Sequence, residues 1–171
     1  MAPFAQSGAM SDLETLPGHL IRRLQQISVA RFTSRMAEAG LDLTSVQYAA
    51  MLTLRDHAGL DQQTLAGLIA YDRVTIAGVI DRLVQKGFVS RETSAVDRRA
   101  RLLALTGPGH TALDQAESWV MRVQEDIVSP LSTRERATFL QLLRKATQEG
   151  NEMSRAPLRK AIAPRAKPAK S

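Results

Sequence analysis

Residues 61–105 read DQQTLAGLIAYDRVTIAGVIDRLVQKGFVSRETSAVDRRARLLAL, and this stretch decides the fold. It opens with two short helical patterns, each introduced by an aspartate. Asp61 precedes 62–69, with Leu65, Leu68 and Ile69 on one side; Asp72 precedes a second pattern whose stripe is Val74 or Ile76 with Val79, Ile80 and Leu83. Aspartate suits such positions because its carboxylate accepts hydrogen bonds from the unpaired amides of a first helical turn. Tyr71-Asp72-Arg73 leaves room only for a tight turn between the helices, and Gly87 supplies a stop. Beyond it, 88–93 and 101–105 read as two short strands joined by a charged tip at 94–100. Two helices across a turn, followed by a hairpin, make a winged helix-turn-helix.

Outward from this centre the pattern stays helical. Upstream, Leu13, Leu16, Leu20, Leu24 and Ile27 recur at three- and four-residue steps, extended by Phe32 and Met36, with Pro17 near the start and Gly40 as a stop; two faces compete on this helix. A second helix starts after Thr44 or Ser45 and carries Val46, Ala49, Met51, Leu52 and Leu54 to Gly59. Downstream, Thr106 opens a long amphipathic helix to about Val128, and Pro130 breaks it. Ser132 with Glu135 three residues on forms a capping box for a last helix through Phe139, Leu142 and Leu143. The expected architecture is mainly α: a winged helix-turn-helix head at about 44–106, with N- and C-terminal helices forming a homodimerisation region. Residues 12–154 make one folded unit, between a disordered segment at 1–11 and a basic disordered tail at 155–171 that carries three prolines.

Composition narrows the function. The 171 residues are 44% apolar but only 4% aromatic, so the core is aliphatic, and no apolar run is long enough to cross a bilayer. A soluble, cytoplasmic protein without membrane attachment is expected. Six cations follow the last acid, Glu152, so the net charge of +6 belongs to the tail and the body is neutral. Within that body, 71–101 holds seven cations against four acids, a basic patch on the stretch that forms the turn, second helix and wing. Local positive charge of this kind is the electrostatic footprint of a nucleic-acid surface.

A recognition helix presents polar side chains from its N-terminal turns to the major groove while its apolar side holds it on the domain. Tyr71, Arg73, Thr75, Gly78 and Arg82 occupy such positions. Arg73 and Thr75 are candidates for base edges and Arg82 for a phosphate, while Arg98 or Arg99 of the wing tip can enter the minor groove or meet the backbone. Double-stranded DNA is therefore the expected partner. A ligand-independent architectural protein that coats DNA is the alternative from another class.

Enzymatic readings find no support. With no cysteine and three scattered histidines (His19, His57, His110) there is no metal-ligand spacing and no nucleophilic pair, so no cofactor or metal is expected. Gly107-Pro108-Gly109 lacks the spacing of a phosphate-binding loop and reads as a turn.

The sequence resembles the MarR family of transcriptional regulators. The resemblance rests on Leu43-Thr44-Ser45-Val46-Gln47-Tyr48, on Ile80-Asp81-Arg82-Leu83 with Lys86-Gly87-Phe88-Val89, and on Asp97-Arg98-Arg99 running through 100–106 to Gly109. It implies an obligate homodimer on a palindromic operator, usually repression, and often release by a small aromatic acid. In the wing pattern of the family Asp97 orients Arg99 toward the minor groove, and Arg98 meets a phosphate. Independently, the first, fifth and last helices carry more apolar surface than the head needs, with Trp119, Val123, Ile127, Phe139 and Leu143 as the expected seam.

For the effector, His19, Arg23 and Gln26 fall at successive helical steps with Arg22 adjacent, and Tyr48 and Met51 are expected to approach from the head. A carboxylate suits Arg23, and a ring substituent suits His19. The start Leu16-Pro17-Gly18-His19-Leu20-Ile21-Arg22-Arg23 also looks like the members that sense hydroxybenzoates or nicotinate derivatives. A surface or dimer-packing role competes with ligand binding for His19 and Arg23.

Overall fold

The computed structural model describes residues 13–93 and 101–159. After a single 3-10 turn at Leu13–Thr15, helix α1 spans Pro17–Glu38, followed by α2 (Ser45–Asp56), strand β1 (Leu60–Asp61), α3 (Gln62–Leu68), α4 (Arg73–Gln85), β2 (Val89–Thr93), β3 (Arg101–Leu105), α5 (Gly107–Val128) and α6 (Thr133–Glu149). Pro17 sets the start of α1: it stands at the first helical position, and Leu16 before it is extended. The expected N-terminal segment 1–11 lies outside the described residues.

Each helix of the head starts on a side-chain cap. Thr44 and Gln47 form a reciprocal capping box for α2, Asp61 accepts from the amides of Gln63 and Thr64, Asp72 from those of Val74 and Thr75, and Thr106 from Gly109. Gln47 is the one buried polar residue among those described, and its carbonyl oxygen is satisfied twice, by the Thr44 amide and by the Lys86 ammonium at 3.3 Å. Gly40, Gly59 and Gly87 terminate elements with positive φ, a conformation that costs glycine nothing.

The sheet is antiparallel in the order β1-β3-β2, with Val89 opposite Leu105 and Thr93 opposite Arg101. Strand β1 adds a third member that hairpin periodicity did not reveal, pairing Leu60 with Leu103 and Asp61 with Leu102. The core runs continuously from the head (Leu54, Leu65, Ile76, Ile80, Leu83, Leu103) into α5 through Leu113, Ala116 and Val123. Only Phe32 and Met36 of α1 reach it. A clasp fastens α1 to α5: Arg35 Nε donates to Asp126 Oδ2 at 2.8 Å, which holds the Asp126 carboxyl below its ordinary range. Gly109 is required by close approach, since a Cβ there would lie 2.1 Å from the Phe88 carbonyl oxygen.

Two sequence expectations need correction. Val123 is 1% exposed within a single chain and packs in the core, so it cannot be seam. The expected Ile127, Phe139 and Leu143 line a groove of about 510 Å³ between α1, α5 and α6, together with the exposed Ile21, Met121 and Leu140. The chain also does not become a free tail at residue 155, because 155–159 pack on the head through a backbone hydrogen bond from the Arg159 amide to the Gly67 carbonyl at 2.8 Å. Residues 160–171 lie outside the described residues.

Candidate nucleic-acid interface

Helix α4 is divided lengthwise. Ile76, Val79, Ile80 and Leu83 are buried, whereas Arg73, Val74, Thr75, Gly78, Asp81 and Arg82 are turned outward. The buried stripe fixes the orientation of the helix, and that orientation presents the other face. Nothing lies within 4 Å of a Cβ built on Gly78, so packing within the chain does not require glycine on that face.

The first turn of α4 is held by one carboxylate. Asp72 Oδ1 accepts from the Val74 and Thr75 amides at 3.1 and 2.9 Å, and Oδ2 accepts from the Thr75 hydroxyl at 2.8 Å. The Thr75 bonds, followed by the Arg155 guanidinium 2.9 Å away, hold the Asp72 carboxyl below its ordinary value. Asp61 makes the same three bonds to Gln63 and Thr64 at the start of α3. There burial pushes the carboxyl upward, but the hydrogen bonds outweigh it and the net shift is downward. The helix-turn-helix thus has two rigid starts. Between them Ala70 adopts a positive φ of 55° to make the turn, and the Tyr71 amide closes it on the Ala66 carbonyl.

Tyr71, Arg73, Thr75, Gly78 and Arg82 are therefore gathered on or beside one surface. Arg98 and Arg99 lie outside the described residues. Of the two apolar residues that compete for the start of the stripe, Ile76 takes the core position, and Val74 is 86% exposed between Arg73 and Thr75. The base of the wing is tied to this surface by an ion pair from Arg91 on β2 to Asp81 on α4.

The expected effector residues are not gathered within one chain. On α1, Arg22 donates to Gln26 at 3.1 Å and lies 3.4 Å from the His19 ring, and Arg22, Arg23 and Gln26 face solvent. Tyr48 packs on Phe32 with ring centroids 6.2 Å apart, and burial raises its pKa. Phe32 is nine residues from Arg23, about 13 Å along the helix. Met51 is fully buried in the core, so it is inaccessible to a ligand without opening the head.

A family model described as the MarR family matches residues 43–100. The transcriptional regulator HosA of Escherichia coli is 34% identical over 127 residues, 74% of this chain and 91% of HosA. The chain belongs to the MarR family. The HTH-type transcriptional repressor NicR of Pseudomonas putida is 32% identical over 134 residues, 78% of this chain and 84% of NicR. Among solved structures, PcaV of Streptomyces coelicolor, in complex with its natural ligand, superposes with a TM-score of 0.74 at 34% identity, covering 82% of this chain and 97% of PcaV. BpsR of Bordetella bronchiseptica, whose DNA binding is regulated by 6-hydroxynicotinic acid, gives 0.74 at 27% identity, covering 81% and 98%. This MarR-family chain is a winged-helix, DNA-binding transcriptional regulator, not an enzyme. No described helix is long and apolar enough to cross a membrane.

Proposed function

We propose that the protein is a homodimeric repressor that reads a palindromic operator with the outward face of α4 and is released from it by a small aromatic carboxylate. The observation that carries the DNA-reading part is the division of α4: a locked apolar stripe beneath Arg73, Val74, Thr75 and Gly78, all turned outward on the first two turns. Two such faces related by a two-fold axis would meet successive major grooves about 34–36 Å apart. Selection of binding sites from a randomised duplex pool, followed by footprinting, tests this directly. Protection of two inverted half-sites supports the reading, and uniform protection without preference assigns the protein to DNA coating. On the selected site, Arg73→Ala and Thr75→Val should each cost about 1–3 kcal/mol, with a smaller loss on unrelated duplex. Equal losses on both would make them backbone contacts.

The effector part rests on the polar strip His19, Arg22, Arg23 and Gln26, and on ligand-regulated relatives such as BpsR. Within one chain that strip and Tyr48 sit at separate levels of α1, and in the proposed homodimer a second copy completes the pocket, which makes ligand response conditional on dimerisation. Binding there would alter the spacing of the two α4 helices. Calorimetry with benzoate, hydroxybenzoates and nicotinates is the test. Arg23→Ala should lose carboxylate binding while keeping operator affinity; undiminished binding would place the pocket elsewhere.

A further inference from the structure

The segment after α6 turns back onto the helix-turn-helix. A short 3-10 turn at Asn151–Met153 leads into it, and Asn151 brackets it by accepting from the Leu158 amide at 2.7 Å and donating to the Leu158 carbonyl at 3.2 Å. The Arg159 amide then bonds Gly67 of α3 at 2.8 Å, and the Arg159 side chain lies over that glycine, 2.7 Å from where a Cβ would stand. Arg155, 87% exposed, pairs with Asp72, the cap of α4, at 2.9 Å. Between this segment and the head lies a recess of about 190 Å³ whose lining includes Gln63, Tyr71, Asp72, Arg73, Arg155 and Arg159. Three arginines thus line a recess with one carboxylate, Asp72, and that carboxylate is already occupied by the first turn of α4.

We infer that residues 151–159 form a strap that builds a binding site for a DNA backbone phosphate, with Arg155 and Arg159 as its ligands. The inference rests on the DNA-binding reading above and extends it to a part of the chain outside the winged head. The recess lies between the first helix of the helix-turn-helix and the start of the second. In that geometry the first helix crosses the sugar-phosphate backbone while the second enters the groove. The exposed pair of Arg155 with Asp72 is of a kind that contributes little in water, so exchanging the carboxylate for a phosphate costs little. A guanidinium meets two phosphate oxygens at once, a geometry an ammonium cannot reproduce. The strap is held by backbone and Asn151 hydrogen bonds, so its anchoring does not depend on either guanidinium, and Arg155 can exchange its exposed pair with Asp72 for an anion.

The test is the salt dependence of binding to a short duplex of unrelated sequence and to the selected operator. Arg155→Ala with Arg159→Ala should lower the slope of log affinity against log salt by about 0.9 for each phosphate no longer neutralised, equally on both duplexes. Melting should stay close to that of the parent. Arg155→Ala alone removes a nearly fully exposed side chain, leaves the core untouched, and should show the same trend. Slopes identical to the parent in both variants would overturn the strap while leaving the DNA-binding reading intact. A parent that binds no duplex would overturn that reading itself. Stabilisation of the parent by inorganic phosphate, abolished in the double variant without any change of slope on DNA, would assign the recess to a free anion and likewise overturn the inference.

Discussion

Helices α4 and α6 are both amphipathic and both begin on a side-chain cap, yet they end up in opposite environments. Helix α4 buries four apolar residues in 13, whereas α6 buries none in 17 and leaves Leu140, Leu142 and Leu143 between 39 and 58% exposed. The stripe of α4 is satisfied by its own chain, through α2, α3 and the sheet. That of α6 is only half covered, by the edges of α1 and α5 along an open groove. Such a face calls for a second surface, and in the homodimer proposed above a second copy of the same face supplies it under two-fold symmetry. In the proposed homodimer, folding and association thus fall to different helices.

Substitutions that strike only one of the two sharpen this division. The largest loss is expected at the fully buried Leu83. Leu83→Ala should cost about 2–5 kcal/mol in denaturant unfolding, because the removed methyl groups leave a cavity that the surrounding helices only partly close. Gly109→Ala comes next, at about 1–3 kcal/mol, since the new methyl meets a backbone carbonyl that cannot rotate away as a side chain would. By contrast, Leu140→Asp combined with Leu143→Asp should leave the unfolding of the head nearly unchanged and halve the mass seen by sedimentation; a large loss of stability with no change in mass would break the comparison. The Asp61 cap sits between these extremes, and Asp61→Ala should cost about 1 kcal/mol.

Acid should act on both helices together. The cap carboxyls Asp72 and Glu135, like Asp61 and the clasp residue Asp126, titrate below their ordinary values in the folded chain. The stability they contribute is therefore complete above the unfolded carboxyl range near about pH 4, and is lost as pH falls through the lowered folded values. Melting should be flat in the mildly acidic range and fall below it. Asp126→Asn should shallow that fall, and a fall of unchanged steepness would remove the clasp from the balance. The smallest effect is expected at the turn: Ala70→Gly relieves a left-handed alanine but loosens the unfolded chain, so melting should move by only a degree or two, about the scale at which these terms offset.

The caps made most of the fold legible, because each is a local event written in neighbouring residues. Asp61, Asp72 and Ser132 with Glu135 start helices as their side chains predict, and of Thr44 and Ser45 it is Thr44, boxed with Gln47, that caps α2. What escaped depends on distant partners. Strand β1 is two residues long, too short for alternation, and exists only because Leu103 and Leu102 lie beside it. On α5, apolar residues occur on two sides, and the period alone could not say that Val123 faces the core while Met121 faces out. The strap looked like a tail because its hold on Gly67 is a backbone bond, which has no side-chain signature. On α4, the outward placement of Arg73 and Thr75 was legible from their positions in the first turn. Val74 was not, because an apolar residue one step from the stripe reads as core until the helix is oriented.

The hydrogen bonding of the first turn of α4 bears on which bases the operator would offer. The hydroxyl hydrogen of Thr75 is committed to Asp72 Oδ2 at 2.8 Å, so toward the groove Thr75 shows only lone pairs and a methyl group. Beside it Val74 shows only methyl groups. In the DNA-reading role proposed here, this corner of the helix accepts but does not donate. It therefore matches the amino hydrogens of adenine and cytosine and the methyl of thymine, and it leaves the two acceptors of guanine to Arg73 alone.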